Sequence, residues 1–198
     1  MRFCSSLLDT VAEATTFFVW ATDREEKTKK GPVDEGGDVE YVHSEPLQIH
    51  SAGNAVAGAF SFLAGKNVLV GPLYVQVQAQ QEGGFQVQLF GLSDQEFRDL
   101  AVCADAQHRV ATAQITKKGI TANLDRRSGK TEGGCEAQVV AAMVYLGAAG
   151  YIHGSFWLDP TKDGDGKVWI YVVRFPVVLG GHTTVLVTGD ALKVYPGC

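Results

Sequence analysis

From Val39 onward, apolar and polar residues alternate with a period of two in one segment after another, as they do in half-buried strands. The run "LYVQVQAQ" shows it best: Val75, Val77 and Ala79 point one way, Gln76, Gln78 and Gln80 the other. After "QEGG" the alternation returns in "FQVQLF", with Phe85, Val87 and Leu89 set against Gln86 and Gln88, so the two runs predict a hairpin around a Gly-Gly turn. "DVEYVHSEPLQIHS", "AVAGAFSFLAG", "RVATAQITK", "ITANLD", "YIHGSFWL" and "KVWIYVVRFPVVL" supply further strands, while the length and alanines of "AQVVAAMVYLG" suit a buried helix as well as a strand. Near the C-terminus, Val185 and Val187 alternate with Leu186 and Thr188. Gly189 then permits a kink or bulge before Leu192 and Val194, and such an ending is expected to pair with early strands and close a Greek key.

Helical periodicity is rarer. Leu7, Leu8, Val11 and Ala12 mark a short amphipathic helix in "SSLLDTVAEA", and "TTFFVWAT" after it reads as a strand. In "SDQEFRDLAVCADA", Ser93 and Glu96 have capping-box spacing, and Phe97, Leu100, Ala101 and Ala104 form one apolar stripe. Glycines fall between the apolar runs, as turn residues do. The expected fold is mainly β: a two-sheet antiparallel sandwich or jelly roll with one or two short helices. The charged stretch "DREEKTKKGPVDEGGD" has no apolar period, which divides the chain into an N-terminal arm and linker, residues 1–38, and a core domain, residues 39–198.

"VWIYVV" departs from the half-buried pattern. Val168, Ile170 and Val172 oppose Trp169, Tyr171 and Val173, so both faces are apolar and both need a cover, from this chain or from another subunit. Trp169, Tyr171 and Val173 are therefore candidate subunit-interface residues.

Charge narrows the partners. The net charge of −5 is concentrated in "DEGGDVEYVHSE", and the rest of the chain balances, so no basic field of the nucleic-acid-binding kind is present. No segment has the uninterrupted apolar length of a membrane span. Asp9 and Glu13 interrupt the apolar start where a signal peptide would need continuity, so synthesis in the cytoplasm is expected. Cys4, Cys103, Cys135 and Cys198 lie far apart without a C-x-x-C pair, as expected of free thiols, and Cys135 in "GGCEAQ" reads as a buried structural one.

Catalytic and cofactor motifs are not found. "RRSGKT" lacks the first P-loop glycine, Leu124 standing in its place, and leaves a basic loop of Arg126, Arg127 and Lys130 that reads first as a solvated turn and second as a contact to phosphate or to an acidic neighbour. Asp159, Asp163 and Asp165 in "LDPTKDGDGKVW" suggest a calcium loop, but Ile170 occupies the twelfth position and a hairpin turn accounts for Asp-Gly-Asp-Gly without a metal. His43, His50, His108, His153 and His182 have no metal-ligand spacing, and Trp20, Trp157 and Trp169 sit inside strand patterns. The sequence thus predicts no catalytic residues, no cofactor and no metal.

The ending "KVWIYVV…HTTVLVTGDALKVYP" resembles the last two strands of small icosahedral plant-virus coat proteins, the tymovirus-like group in particular, and "LYVQVQAQ…FQVQLFGL" and "ATAQITKKG" resemble an early hairpin and a mid-domain segment of the same coats. The resemblance covers about half the chain. It implies a jelly-roll capsid subunit, many copies of which form an icosahedral virion around RNA, with polyamines or metal ions as counter-charge because this group lacks a strongly basic arm. The alternative is a lectin-like β-sandwich that binds carbohydrate.

Overall fold

The computed structural model describes residues 39–43, 49–125, 135–174, 182–188 and 191–196. Side chains of the first and eighth strands are outside that description, as are the arm and linker, residues 1–38, and the basic loop with Arg126, Arg127 and Lys130.

The protein is mainly β with a few short helices. The strands are β1 (Val39–His43), β2 (Leu73–Ala79), β3 (Phe85–Gly91), β4 (Arg109–Thr116), β5 (Gly119–Leu124), β6 (Phe156–Lys162), β7 (Val168–Arg174), β8 (His182–Thr188) and β9 (Ala191–Pro196). The helices are α1 (Ala52–Leu63), α2 (Asp94–Arg98) and α3 (Glu136–Ala148). All nine described strands join one sheet in the order β1-β5-β4-β3-β2-β6-β7-β8-β9, every pair antiparallel. The layer opposite the sheet is made of α1 and α3, which pack on each other and on the strands. A second sheet, as a sandwich requires, is not found among the described residues. The C-terminal strands also differ from the expectation: β8 pairs with β7 and β9, and β9 stands at the sheet's edge instead of returning to an early strand.

The order conceals a repeat. Each half of the molecule is a helix followed by a four-stranded meander: α1 with β2–β5, then α3 with β6–β9. Val56, Ala59, Phe60 and Leu63 on the buried face of α1 correspond to Val139, Ala142, Met143 and Leu146 of α3, each 83 positions later. Leu73 and Phe156, which start β2 and β6, are also 83 apart, as are Phe85 and Val168, which start β3 and β7. The halves meet where β2 pairs with β6: Leu73 with Leu158, Tyr74 with Trp157 and Val75 with Phe156. Exchanging the halves turns the first pair into the last and leaves Tyr74–Trp157 on itself, so a pseudo-twofold axis passes through that pair.

The segment "AVAGAFSFLAG" is helix, not strand. Val56, Ala59, Phe60 and Leu63 recur at three- and four-residue spacing and are fully buried, and Ser51 caps the helix by accepting from the Asn54 N–H at 3.2 Å. Its run of small residues serves close approach. Gly53 of α1 meets Gly147 of α3, and a β-carbon on either would run into the other's backbone carbonyl.

The core lies between the helices and one face of the sheet, where Val75, Val87, Leu89, Ala113, Ile115, Phe156, Leu158 and Ile170 are fully buried. The β2–β3 hairpin turns on Gly83 and Gly84, both at positive φ. Gly53→Ala is expected to destabilise the protein by about 1–3 kcal/mol in urea unfolding, because overpacking outweighs the better helix propensity of alanine. Gly58→Ala, whose methyl would meet only the Ile120 side chain at 3.5 Å, is expected to be neutral or stabilising by up to about 1 kcal/mol.

Candidate functional site

The sheet's second face is only partly covered. Over its centre lies the β3–β4 connection, Leu92–His108, which carries α2. Phe97, Leu100 and Cys103 from this connection pack on Tyr74, Phe90, Leu92 and Trp157. Tyr74 sits 5.3 Å from Trp157 and 6.0 Å from Phe90, centroid to centroid, and the Trp157 indole N–H donates to the Ala101 carbonyl at 2.9 Å. The connection thus belongs to the first half and fastens onto the second.

Two exposed flanks remain. Toward β5 the face carries Gln76, Gln78, Gln86, Gln88, Thr112, Gln114 and Thr121, with Gln76 opposite Gln88 and Gln86 opposite both Gln78 and Gln114. Toward β9 it carries Trp169, Tyr171, Lys193 and Tyr195. Tyr171 is 42% exposed and Tyr195 47%, among the few large apolar side chains left so open. The Trp169 and Tyr195 rings lie 6.2 Å apart. In "VWIYVV", then, Val168, Ile170 and Val172 fill the core, Val173 packs beside Trp157, and Trp169 and Tyr171 lie on the uncovered face.

A polar cluster sits within the connection. The expected capping box forms: the Ser93 oxygen accepts from the Glu96 N–H at 3.3 Å, and Glu96 Oε2 accepts from both the backbone N–H and the hydroxyl of Ser93 at 2.7 Å. The helix ends at Arg98, whereas the apolar stripe extends to Ala104, because Leu100 adopts φ of +49° and reverses the chain. That reversal brings Cys103 and His108 back to Glu96. Glu96 Oε1 stands 3.6 Å from Cys103 Sγ and 3.3 Å from His108 Nε2, and both Asp105 oxygens lie 2.9 Å from His108 Nδ1. Among the described residues, the donor atoms of Glu96, Cys103 and His108 form the one group close enough to share a cation, all within 4.8 Å.

Electrostatics follow from these contacts. The Ser93 hydrogen bonds pull the Glu96 carboxyl down to about 2. The Asp105 hydrogen bond raises His108 above its ordinary 6.5. Burial, then the Glu96 charge, raises the Cys103 thiol. A thiol that keeps its proton is the reverse of what a nucleophilic cysteine needs.

The calcium candidates are placed apart. Asp163 uses Oδ1 to accept from the Asp165 and Lys167 N–H groups and Oδ2 to accept from the Trp169 indole, which makes it the organising residue of the β6–β7 hairpin. Asp165 is exposed beside Lys167, and Asp159 lies up β6 opposite Tyr171, so the three do not form a shared ligand group. Cys103 is in no disulfide, and Cys135, expected to be buried, is half-buried at the start of α3. No described helix is long and apolar enough to cross a membrane. Comparison with protein-family models, curated proteins and solved structures found no match.

The cluster has a signed pH dependence. His108 contributes stability below about 6.5 that is lost as pH rises through its higher folded value, while Glu96 contributes stability above 4.5 that is lost only as pH falls toward about 2. The Leu92–His108 connection is expected to be held most firmly between about pH 4.5 and 6.5. In chelator-treated protein, the His108 ring protons should titrate above 6.5 by NMR, and Asp105→Asn should lower that midpoint. An unmoved midpoint would contradict the contact.

Proposed function

We propose that this protein is a self-associating structural subunit whose uncovered sheet face meets the same face of a second copy. One observation carries this: Tyr171, Tyr195 and Trp169 are left on a face whose other flank is mostly glutamine and threonine. Exposed aromatic area is what interface centres are made of. The glutamine flank suits a copy of itself, since amides both donate and accept whereas like charges would repel. Area permits it only if the connection takes part: nine strands about 4.8 Å apart and about 20 Å long span on the order of 800 Å², near the share each partner gives to a stable interface, and the Leu92–His108 connection covers the centre of that span.

Because the Leu92–His108 connection stands over the centre of each face, two copies would meet through their connections and flanks rather than by flush stacking of bare sheets. The coat-protein resemblance adds the larger form of this proposal, an icosahedral shell around RNA with polyamines or metal ions as counter-charge. A face-to-face contact closes a pair, so a shell needs a second contact. Strands β1 and β9, which have no further neighbour among the described residues, offer sheet edges for it. The second reading, a carbohydrate site, is favoured by the Trp169–Tyr195 pair, a surface on which a sugar ring could stack.

Sedimentation velocity tests association. The full chain is expected to self-associate at micromolar concentration, and Tyr171→Lys with Tyr195→Lys should weaken that at least ~10-fold, about 1.4 kcal/mol. A wild type that stays monomeric removes the proposal. Particles in electron micrographs that protect RNA from nuclease would support the shell, and a glycan-array signal without association would favour the sugar site.

A further inference from the structure

The two halves differ most in one connection. Seventeen residues, Leu92–His108, join β3 to β4, against seven, 175–181, between β7 and β8. Beyond it the correspondence resumes at a shorter spacing: Thr116 and Thr188 end β4 and β8, Gly119 and Ala191 begin β5 and β9, and both pairs are 72 positions apart. The extra length in the first half holds Glu96, Cys103, Asp105 and His108.

We propose that Glu96, Cys103 and His108 bind a zinc ion, with three protein ligands and a fourth position open to water. Geometry carries this inference. Around a tetrahedral zinc with bonds of about 2.0–2.2 Å to nitrogen and oxygen and about 2.3 Å to sulfur, the N···O edge is about 3.4 Å and the S···O edge about 3.6 Å. The corresponding separations here are 3.3 Å for His108 Nε2 to Glu96 Oε1 and 3.6 Å for Cys103 Sγ to Glu96 Oε1. Without metal these are hydrogen bonds. Zinc takes the place of the thiol proton and the Nε2 proton, and both leave to solvent.

Supporting contacts fix each ligand. Glu96 gives Oε2 to Ser93 and turns Oε1 into the cluster. His108 is held at Nδ1 by Asp105, the carboxylate-on-histidine arrangement that orients zinc-bound imidazoles. Asp105 Oδ1 is in turn held by the Gln107 and His108 N–H groups at 2.8 and 3.1 Å. Cys103 rests against the Tyr74–Phe90–Trp157 cluster, and all three ligands remain part-exposed, so an ion can reach them. A thiolate and an imidazole beside one carboxylate select zinc over calcium or magnesium, which prefer all-oxygen sites. The bound ion would also stiffen the connection that packs across the join between the halves.

The test uses the full chain stripped with chelator, then titrated with Co²⁺ and afterwards with Zn²⁺. One equivalent of Co²⁺ should bind with a thiolate-to-cobalt charge-transfer band and tetrahedral visible bands, Zn²⁺ should displace it, and zinc should raise the melting temperature. Cys103→Ser should abolish the charge-transfer band. Asp105→Asn, which touches no metal, should weaken zinc about 10- to 100-fold. If circular dichroism shows that Cys103→Ser is unfolded, His108→Gln decides by loss of the tetrahedral bands. Absence of a thiolate band at saturating Co²⁺, or a band that persists in Cys103→Ser and so belongs to Cys4, Cys135 or Cys198, overturns the proposal.

Discussion

Two four-stranded meanders are joined through only three paired positions, Leu73–Leu158, Tyr74–Trp157 and Val75–Phe156, and the rest of the molecule is arranged around that short seam. A backbone hydrogen bond adds about 1 kcal/mol net, so a ladder this short cannot hold two halves together unaided. Burial on both sides of it does more. On one face, α1 and α3 cross at Gly53 and Gly147, where the absent side chains let the backbones touch. On the other, Leu92–His108 reaches from the first half to Trp157 of the second and hydrogen-bonds its indole. The fully buried Trp157 and Phe156 lie between these two clamps.

Near-symmetry at the seam makes the asymmetries elsewhere informative. Strands β2 and β6 share one burial pattern, from three buried residues at the start to two exposed ones at the end. Their neighbours diverge on the uncovered face: glutamine and threonine in the first half, tryptophan and tyrosine in the second. The connection between the second and third strands of each meander carries a polar cluster in the first half and is short in the second. Differences of this kind, on surfaces and connections rather than in the core, are where roles beyond folding are found.

Much of the sheet could be read from alternation. The β2–β3 hairpin follows from Val75, Val77, Val87 and Leu89 facing away from the glutamines, and the capping box of α2 from Ser93 and Glu96 three apart. Helix α1 escaped because Ala55, Ala59 and the glycines are small enough to suit a strand, and only Val56, Phe60 and Leu63 mark the helical period. The repeat was hidden because identity is confined to scattered positions such as Val56 and Val139 or Leu63 and Leu146, others such as Tyr74 and Trp157 keep only apolar character, and the spacing falls from 83 to 72 beyond the long connection. The Glu96–Cys103–His108 cluster was hidden by a helix read too long. In a continuous helix, residues seven apart are separated by about 10.5 Å, so Glu96 and Cys103 could not share a ligand. Only the left-handed turn at Leu100, which no residue type announces, brings them together.

The uncovered face remains the point on which function turns. A single sheet backed by helices on one side keeps its core without help, so the exposed tyrosines of β7 and β9 are not explained by the stability of the lone chain. Hydroxyl-radical labelling at increasing protein concentration reads them directly. Tyr171 and Tyr195 should label readily in dilute solution and become protected as the protein associates. Unchanged labelling of both tyrosines in the associated protein would place the contact elsewhere and contradict this account.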